Sequence, residues 1–528
     1  MTRRRVRPNS SPEVTEVGAV RRYTLLTLGA LALGGCAAGP NYHTPRVRTP
    51  EQYAAQPQPA STTSVSENEL ASWWRTLNDP ELDSLIERAV RANPDVQIAL
   101  DRLQAARTVA IGTWSTVLPV GGASAGGGRG TGSDLARGRA SQQLVSAESG
   151  AGLSQVNLLA GFDAAWELDF FGKYRREIEA ARADAQAAAA ARNAVLVAVI
   201  ADVARAYVDL RGLQMRSAAL HASIDVLTES RRIITERYER GITNELDLTL
   251  ATRELNTLQA QVAPLDAAVE AAQYALATLL GQFPEELVAE LSPQAALPIV
   301  PPQVETGMPV ELLRRRPDVQ VAERELAAST ARIGVAAANL FPSIALTGAV
   351  GFQHQGWGAT PASVSQHIWA LGPAAAWPLL DFGALDAQLQ VANLQTRALL
   401  VNYKKVIQGA VQEVDTLLSA YRAQQQGLAN LAEALTASQR AVTLATARYE
   451  RGLTDFLNVV DAQRQEYTLE DQYAQAQVAA CEEFVALNRS LGGGWQNYQE
   501  LPPLTKPLPA VAAAFREVFT RNTALKEP

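Results

Sequence analysis

Apolar and polar residues follow two different patterns along the chain, and each pattern occurs twice. Apolar side chains alternate with small or polar ones in the stretch SQVNLLAGFDAAWEL from Ser154 and again in SIALTGAVGF from Ser343. This alternation predicts half-buried β-strands. Residues 172–240 and 383–451 contain no proline, are rich in alanine and span 69 residues each. Each of these two segments predicts a single helix of about 100 Å.

Both long helical segments end in nearly the same phrase, RYERGITNELDL from Arg237 and RYERGLTDFLNV from Arg448. Arg-Gly is typical of a helix C-cap, and the Thr-Asn or Thr-Asp that follows is typical of an N-cap. A second helical segment of 38 residues comes next, at 244–281 and at 455–492. The phrase is therefore predicted to be the turn of a helical hairpin, made twice. Frequent alanines favour a curved layer of closely packed helices over a two-stranded rod, which would need a sustained seam of large residues.

The hairpins belong to a duplication that covers most of the chain. From Trp166 to Gly281, residues recur 211 positions later, whereas the stretch that begins at Asn93 recurs 223 positions later. The first copy therefore holds twelve extra residues between Pro119 and Trp166. The tract GGASAGGGRGTGSD lies there and predicts a flexible loop. We expect one twofold repeated unit in the 528 residues, not several unrelated domains.

The N-terminus has the features of a secretory signal. Arg21 and Arg22 precede a short apolar stretch, which predicts a signal peptide over residues 1–35. The sequence LGGC, ending at Cys36, resembles the lipobox of bacterial lipoproteins, and Ala37 resembles the residue that sorts such proteins to the outer membrane. We expect Cys36 to carry a lipid anchor; the alternative is an ordinary signal peptide with a chance cysteine. Residues 36–70 are rich in Pro, Gln, Ser and Thr and predict an extended segment.

Composition excludes several other classes of function. The net charge of −7 provides no basic surface for nucleic acid. The four histidines are scattered without metal-ligand spacing, and Cys481 lies in a helical pattern that predicts a buried thiol. Beyond the N-terminus we find no run of about 20 apolar residues that predicts a spanning helix. No Walker motif is present, and LLDFG at Leu379 lacks the other kinase motifs, so we expect neither an enzyme nor a cofactor.

The tryptophans near the predicted strand ends leave two possibilities open. These residues are expected either in an aromatic belt at a membrane interface or in a protein core. They are Trp166, Trp357, Trp369 and Trp377.

Several motifs in order resemble one family. They are GPNYHTP after Cys36, SWWRTLNDPELDSLI, NPDVQIAL, RRRPDVQVAE, LDFFGKYR with LLDFGALD, and the doubled RYERG. Together they resemble the outer-membrane factor family (TolC/OprM-like), and within it the NodT-type lipoproteins of RND efflux systems. The resemblance extends from Cys36 to about Gly494.

The resemblance implies a mostly α fold with a membrane β portion. Each of two repeats, 71–294 and 295–494, would provide two strands and one long helical hairpin, followed by a tail at 495–528. The β-hairpins would occupy about 118–169 and 342–380, and the helical hairpins 172–281 and 383–492. Three chains would close a twelve-stranded β-barrel in the outer membrane, continued by an α-helical barrel in the periplasm. Four strands of one chain cannot close a barrel alone, which agrees with a homotrimer.

The resemblance also implies roles for the hairpin tips. In the family the tips meet a periplasmic adaptor, also called a membrane-fusion protein, so Gly241, Ile242, Gly452 and Leu453 are candidate contacts. The alternative is that the glycines serve only the helix caps.

A gate is implied at the second tip. Leu457, Asn458 and Asp461 would converge on the threefold axis and close the tunnel, where three aspartates repel one another and favour cations. Asn458 departs from family members with Asp at that position, which removes one acidic ring. Tyr449 would tie the closed state together, or would only pack against its neighbours.

The implied function is an exit duct of a tripartite RND-type efflux pump, passive and driven by an inner-membrane RND transporter. Alternatives are an outer-membrane duct for type I protein secretion or for metal-ion efflux. A lipid-tethered enzyme and a structural periplasmic rod belong to different classes, and a rod would need no amphipathic strands.

Overall fold

The computed structural model describes residues 37–55, 67–131, 154–302, 304, 308–357 and 363–498. The predicted signal peptide, Cys36 and most of the predicted tail lie outside these residues. The helices are α1 Glu67–Ala71, α2 Pro80–Ala92, α3 Pro94–Ser115, α4 Lys173–Glu239, α5 Glu245–Gln259, α6 Val262–Leu279, α7 Pro284–Leu291, α8 Leu312–Arg315, α9 Pro317–Ala338, α10 Phe382–Glu450 and α11 Phe456–Ser490. The strands are β1 Val120–Thr131, β2 Ser154–Leu168, β3 Ser343–Trp357 and β4 Ser363–Ala376. Short 3-10 helices occur at Trp73–Leu77, Pro309–Glu311 and Gln496–Tyr498.

The chain forms two compact units. Described residues within 1–45, 106–186 and 323–402 form the first unit, and those within 46–105, 187–322 and 403–528 form the second. The first unit contains the strands, and the second contains both turns between long helices.

The first unit is built on one antiparallel sheet with the strand order β1-β2-β3-β4. The alternating patterns at Ser154 and Ser343 do begin strands, as predicted. At the centre of the sheet, Gly161 of β2 pairs with Gly351 of β3. A Cβ at Gly161 would lie 2.9 Å from the carbonyl oxygen of Val350, so this close pairing requires glycine.

The glycine-rich tract is only partly a loop, which corrects the sequence prediction. Residues 120–131 form β1 and pair with β2 in unbroken register from Val120↔Ala165 to Thr131↔Ser154. A strand of glycine, alanine and serine has no apolar face, so its alternation is invisible in the sequence. Backbone pairing needs no apolar side chains, so β1 still pairs with β2 from Val120 to Thr131.

Three of the tryptophans at the strand ends, Trp166, Trp369 and Trp377, are not core residues. Trp369 is 78% exposed and Trp377 is 51% exposed in the single chain. The indole N–H groups of Trp166 and Trp377 donate to the carbonyl oxygens of Val117 and Leu340, at 2.8 and 3.1 Å. Their exposure and their satisfied N–H groups favour the interfacial belt over the core alternative.

The segment that follows Cys36 is fixed on the first unit by a buried arginine. Arg176 of α4 donates from Nε to the carbonyl oxygen of Ala38 at 3.1 Å and from Nη2 to Asn41 Oδ1 at 2.7 Å. The backbone fits closely as well, because a Cβ at Gly39 would lie 2.5 Å from the Cα of Gly334. The first described residues after the predicted anchor position are therefore held on the first unit.

The second unit contains the largest core. Asp79 caps α2 by accepting from the N–H groups of Glu81 and Leu82, at 3.0 and 3.2 Å. The apolar face of that helix is completely buried. The buried residues of this face are Leu82, Leu85, Ile86 and Ala89.

A buried arginine holds α4 against this core. The Arg211 guanidinium pairs with Glu81 and donates to Gln214 Oε1 at 2.7 Å and to the carbonyl oxygen of Pro293 at 2.7 Å. Its Cζ lies 5.0 Å from the centre of the Tyr207 ring. Both terminal nitrogens of the guanidinium thus bond to protein acceptors, while its buried Nε has no partner among the described residues.

Helix α4 contains a stretch that is long and apolar enough to cross a membrane by length and composition alone. This corrects the expectation that no such stretch follows the N-terminus; its many alanines raise the hydropathy without large side chains. Buried residues make up 56% of that stretch, which is typical of a core helix.

The first return helix is not continuous, in contrast to the prediction for 244–281. It breaks at Ala260 and Gln261 into α5 and α6. Pro264 explains the break, because it has no N–H to donate to the carbonyl oxygen of Ala260 and its ring crowds that carbonyl. The second return helix, α11, has no proline and runs unbroken over 35 residues.

Cys481 is buried as predicted. Its Sγ lies 3.3 Å from the carbonyl oxygen of Pro298, and burial raises the pKa of the thiol to about 12.

Candidate functional site at the hairpin tips

The two hairpin turns have the same backbone geometry. Gly241 has φ of +72° and Gly452 has φ of +70°, the left-handed conformation that glycine adopts without strain. The N–H of Gly241 donates to the carbonyl oxygen of Tyr238, and the N–H of Ile242 donates to that of Arg237, both at 2.9 Å. This pair of bonds is a Schellman motif, which ends α4 at the predicted residue.

The second turn repeats these bonds at the end of α10. Gly452 N–H donates to the carbonyl oxygen of Tyr449, and Leu453 N–H donates to that of Arg448, both at 2.9 Å. The recurring phrase therefore encodes one turn structure twice.

Both tips are open to solvent in the single chain. A Cβ added at Gly241 or at Gly452 would have no neighbour within 4 Å. The adjacent apolar side chains are exposed, Ile242 by 60% and Leu453 by 63%. Exposed apolar residues at a rigid turn are able to bind another molecule. Their contact with an adaptor stays a prediction.

The helices after the two turns begin differently. In the first hairpin, Asn244 Oδ1 accepts from the N–H of Asp247 at 3.0 Å and caps α5. In the second, Asp455 makes no side-chain cap, and Asn458 Nδ2 donates to Thr454 Oγ1 at 2.7 Å. The second return helix thus starts without the cap that stabilises the first.

The two hairpins contact each other just behind the tips. Ile234 of α4 and Ala251 of α5 are buried against Phe456, together with Val459 and Val460 of α11. A small shared core of this kind holds the two tips side by side.

Tyr449 lies in this contact. Its ring centre is 5.3 Å from that of Phe456, and the Arg237 guanidinium carbon lies 4.9 Å from it on the other hairpin. Its hydroxyl oxygen is buried and has no hydrogen-bond partner among the described residues. The predicted role of Tyr449 in the closed state stays a prediction, and the sequence alone did not indicate its contacts with Arg237 and Phe456. The apolar spacing of Phe456, Val459 and Val460 is the sequence signal that indicates a buried face on this helix.

The other predicted gate residues lie together on the surface of α11. Leu457 is 55% exposed. Asp461, one helical turn later, forms an exposed ion pair at 2.6 Å with Arg464. Leu457 and Asp461 therefore lie on one exposed stripe of α11, whereas Tyr449 is partly buried in the contact between the hairpins. Their convergence on a threefold axis stays a prediction.

A cavity of about 150 Å³ lies between the hairpins, further from the tips. Three carboxyl groups line it, those of Glu254, Glu466 and Glu470. Burial raises the pKa of Glu466 and of Glu470 above the ordinary range. No group of carboxylate, histidine or cysteine side chains in the described residues has the geometry of a metal site.

Comparison with known proteins identifies the family of the chain. The model of the family described as "Outer membrane efflux protein" matches residues 85–282 and 308–493, more than half of the chain. The chain belongs to the outer membrane efflux protein family. The match includes both repeats and both hairpin tips.

Individual relatives agree over nearly their whole length. Nodulation protein T of Rhizobium leguminosarum bv. trifolii is 30% identical over 471 residues, 88% of this chain and 96% of that protein. The toluene efflux pump outer membrane protein TtgC of Pseudomonas putida is 30% identical over 473 residues, 89% and 95% of the two chains. The solved outer-membrane channel OprN is 35% identical with a TM-score of 0.77, covering 87% of this chain and 100% of that one.

Family membership confirms the predicted class of protein. Efflux proteins of this family are channels of the outer membrane and not enzymes. They are trimers with helical parts in the periplasm, and they work with a periplasmic adaptor and an inner-membrane RND transporter, as the resemblance implied. The predicted fold class, mostly helical with an antiparallel sheet, is confirmed as well.

Proposed function

We propose that this protein is the exit duct of a tripartite RND-type pump, through which small toxic organic compounds pass passively from the periplasm to the exterior. One observation carries the proposal: the duplicated chain has both a four-stranded sheet with two free edges and two solvent-exposed hairpin tips. The sheet suits a membrane wall, and the tips suit a contact with another component.

Trimerisation follows from the free edges of the sheet. The outer strands β1 and β4 each have a row of backbone groups without a partner strand in the single chain. In a bilayer each such group costs several kcal/mol, so closed barrels are the only sheets that span membranes. Three copies of four strands give the twelve-stranded barrel that the family resemblance implies.

The relatives support small organic cargo. They include proteins described as outer membrane components for toluene efflux, antibiotic efflux and pyoverdine export. We extend only this chemical class, small organic compounds, to the present chain.

We place the gate at the second tip. Leu457 and Asp461 lie on one exposed stripe of α11, where three copies would oppose an apolar ring and an acidic ring. The adaptor contact is placed at Gly241, Ile242, Gly452 and Leu453. The lipid anchor is placed at Cys36.

Alanine substitution tests the gate. Leu457→Ala with Asp461→Ala should make cells permeable to large antibiotics that the intact outer membrane excludes. Leu246 is the matched control, because it is the first-hairpin counterpart of Leu457 and is 62% exposed. Leu246→Ala should leave permeability unchanged. Equal permeability of all three strains at equal protein level would refute the gate assignment.

Metabolic labelling tests the anchor. Radioactive fatty acid should label the wild-type protein and not Cys36→Ala. Label that persists in the variant would refute lipidation at Cys36.

A further inference from the structure

The cavity of about 150 Å³ between the two hairpins has an acidic lining. Glu254 lines it from α5 of the first hairpin, and Glu466 and Glu470 line it from α11 of the second. Burial raises the pKa of Glu466, and burial followed by the charge of Glu466 raises the pKa of Glu470. These shifts indicate carboxyl groups that are removed from water without a cation beside them to stabilise their charge.

Glu254 is the most buried of the three carboxyl groups. Its side chain is 7% exposed, and no residue in the described part of the chain forms a hydrogen bond with it. The guanidinium of Arg253 lies 3.7 Å away, too far for a hydrogen bond, and its side chain is 55% exposed to water, which screens the pair. A buried carboxylate without a hydrogen-bond donor is costly, so this side chain suits a ligand that donates to it.

A second acceptor at the cavity also lacks a donor. The Oε1 of Gln463 is buried and has no hydrogen-bond partner among the residues that the structure describes, while its Nε2 donates to Ser230 Oγ at 3.4 Å. Arg464 lines the cavity as well, but its guanidinium donates to Asp461 Oδ1 at 2.6 Å. The polar part of the cavity therefore needs donors, and an ammonium group provides three N–H donors and no acceptor.

The remaining wall of the cavity is apolar. It consists of Val226, Leu227, Leu258 and the ring of Tyr467, whose hydroxyl donates to Gln261 Oε1 at 2.9 Å. A cavity of about 150 Å³ can hold a molecule about the size of benzene. Val226 is 54% exposed, so the cavity is open to solvent in the single chain. An apolar wall beside carboxylates suits an organic cation better than a hydrated metal ion, and the described carboxyl groups lack the geometry of a metal site.

The duplication does not account for the three carboxyl groups. A shift of 211 residues relates the two return helices, and at this shift none of the three glutamates has an acidic counterpart. The counterparts of Glu254, Glu466 and Glu470 are Gln465, Leu255 and Gln259. The acidic lining is therefore not part of the helical pattern that both hairpins share, although its three members meet at one cavity.

We propose that this cavity binds a small alkyl ammonium ion, with its charged end among the carboxylates of both hairpins and its alkyl chain against the apolar wall. The ion joins α5 to α11 and removes the repulsion between their carboxylates. Because it binds best when the hairpins are adjacent, it also stabilises that arrangement. The residues of the site all belong to one chain and differ from the candidate gate and tip residues, so the site goes beyond the proposed function.

Titration of butylammonium with the full-length trimeric protein in detergent tests the site, with binding followed by nuclear magnetic resonance of the ligand. Binding should be saturable. 1-Butanol has the same chain without the charge and should bind at least about tenfold more weakly, as the loss of a charged hydrogen bond requires. Equal binding of 1-butanol, or displacement of butylammonium by an equal concentration of Mg²⁺, would overturn the proposal.

Amide substitutions test the junction between the hairpins. Glu254→Gln and Glu470→Gln should each weaken butylammonium binding by about tenfold. Glu245→Gln is the matched control, because Glu245 is exposed on the same helix as Glu254 and does not line the cavity, and its affinity should be unchanged. Loss of affinity in only one of the two cavity variants would refute a ligand that joins both hairpins.

A cavity-filling variant gives an independent test that keeps all three carboxyl groups. Ser223 lines the cavity from α4 and is half-buried. Ser223→Phe should abolish butylammonium binding while the protein stays trimeric by mass measurement. Wild-type affinity in a trimeric Ser223→Phe sample would place the ion elsewhere and overturn the proposal, even if the amide variants failed to assemble.

Discussion

The base and the tip of each long helical hairpin use the same turn chemistry for different ends. At the base, Gly281 and Gly492 have φ of +69° and +76°, and at the tips Gly241 and Gly452 have φ of +72° and +70°. A Cβ at Gly281 would lie 2.7 Å from the carbonyl oxygen of Ala92, while a Cβ at either tip glycine would meet nothing within 4 Å. At the base, glycine is therefore required for two reasons, its conformation and the lack of space. At the tip, only the conformation requires it. The base is fixed, and the tip is left open for contact.

The ion pairs follow the same division. Near the base, Arg211 is 1% exposed and binds Glu81 and the carbonyl oxygen of Pro293. Near the tip, Asp461 and Arg464 pair in solvent, with exposed fractions of 67% and 55%. Removing one partner of a buried ion pair therefore lowers the free energy of unfolding far more than removing one partner of an exposed pair.

The largest effect is expected at the buried arginine. Arg211→Met should lower the free energy of unfolding by about 3 kcal/mol or more, because it leaves the Gln214 amide and a backbone carbonyl without a donor. Arg464→Met at the tip should change it by less than about 1 kcal/mol. Chemical denaturation in detergent measures both. Equal losses in the two variants would remove the proposed difference between base and tip.

Gly492→Ala at the base should be the next most damaging change. The new Cβ would lie 2.9 Å from the carbonyl oxygen of Arg315, in addition to the strained positive φ. We expect a loss of about 2–4 kcal/mol and a lower yield of assembled protein. A loss of stability no greater than that of Gly452→Ala at the tip would show that the backbone at Arg315 shifts easily to make room.

Gly452→Ala at the tip should cost only about 1–2 kcal/mol, since conformation alone is affected. Assembly and membrane insertion should be normal. If the tip binds the adaptor as proposed, cross-linking to the adaptor in cells should fall by more than the lost stability of the protein accounts for. Normal cross-linking would reduce the role of Gly452 to that of a helix cap.

The smallest effect is expected at Asp209, a half-buried residue of α4. Burial, and next the neighbouring Glu482, raise the pKa of the Asp209 carboxyl to about 6. Between the unfolded pKa of about 4 and the folded value, the native state holds a proton that the unfolded chain releases, so stability falls as pH rises. Asp209→Asn should be more stable than wild type by about 1 kcal/mol at pH 7, after allowance for solvent screening. The difference should close near pH 4. Parallel stability curves for the two proteins would contradict this assignment.

The sequence predicted the elements whose side chains show a pattern. The alternation in β2 and β3 and the doubled turn were both visible, because side-chain period and cap residues determine them locally. The side-chain pattern gives no signal for β1, because its glycines and alanines have no apolar face; only the family resemblance implied a β-hairpin at about 118–169. Pro264 indicates the break between α5 and α6, but the long helical pattern around this single proline predicted one continuous helix.

The candidate site could be predicted only in part, for a similar reason. Gly241 and Gly452 are determined by the local turn, and Leu457 and Asp461 share a face by helical spacing. The contact of Tyr449 with Arg237 joins residues from different hairpins, and no local pattern encodes it.

Single-channel recording in a planar bilayer tests the central claim most directly. The account predicts that purified trimeric protein gives stepwise conductance increments, and that Leu457→Ala with Asp461→Ala gives larger or longer-lived ones at the same voltage. A well-folded trimeric sample that inserts and gives no conductance steps, in wild type or in the gate variant, would contradict the account.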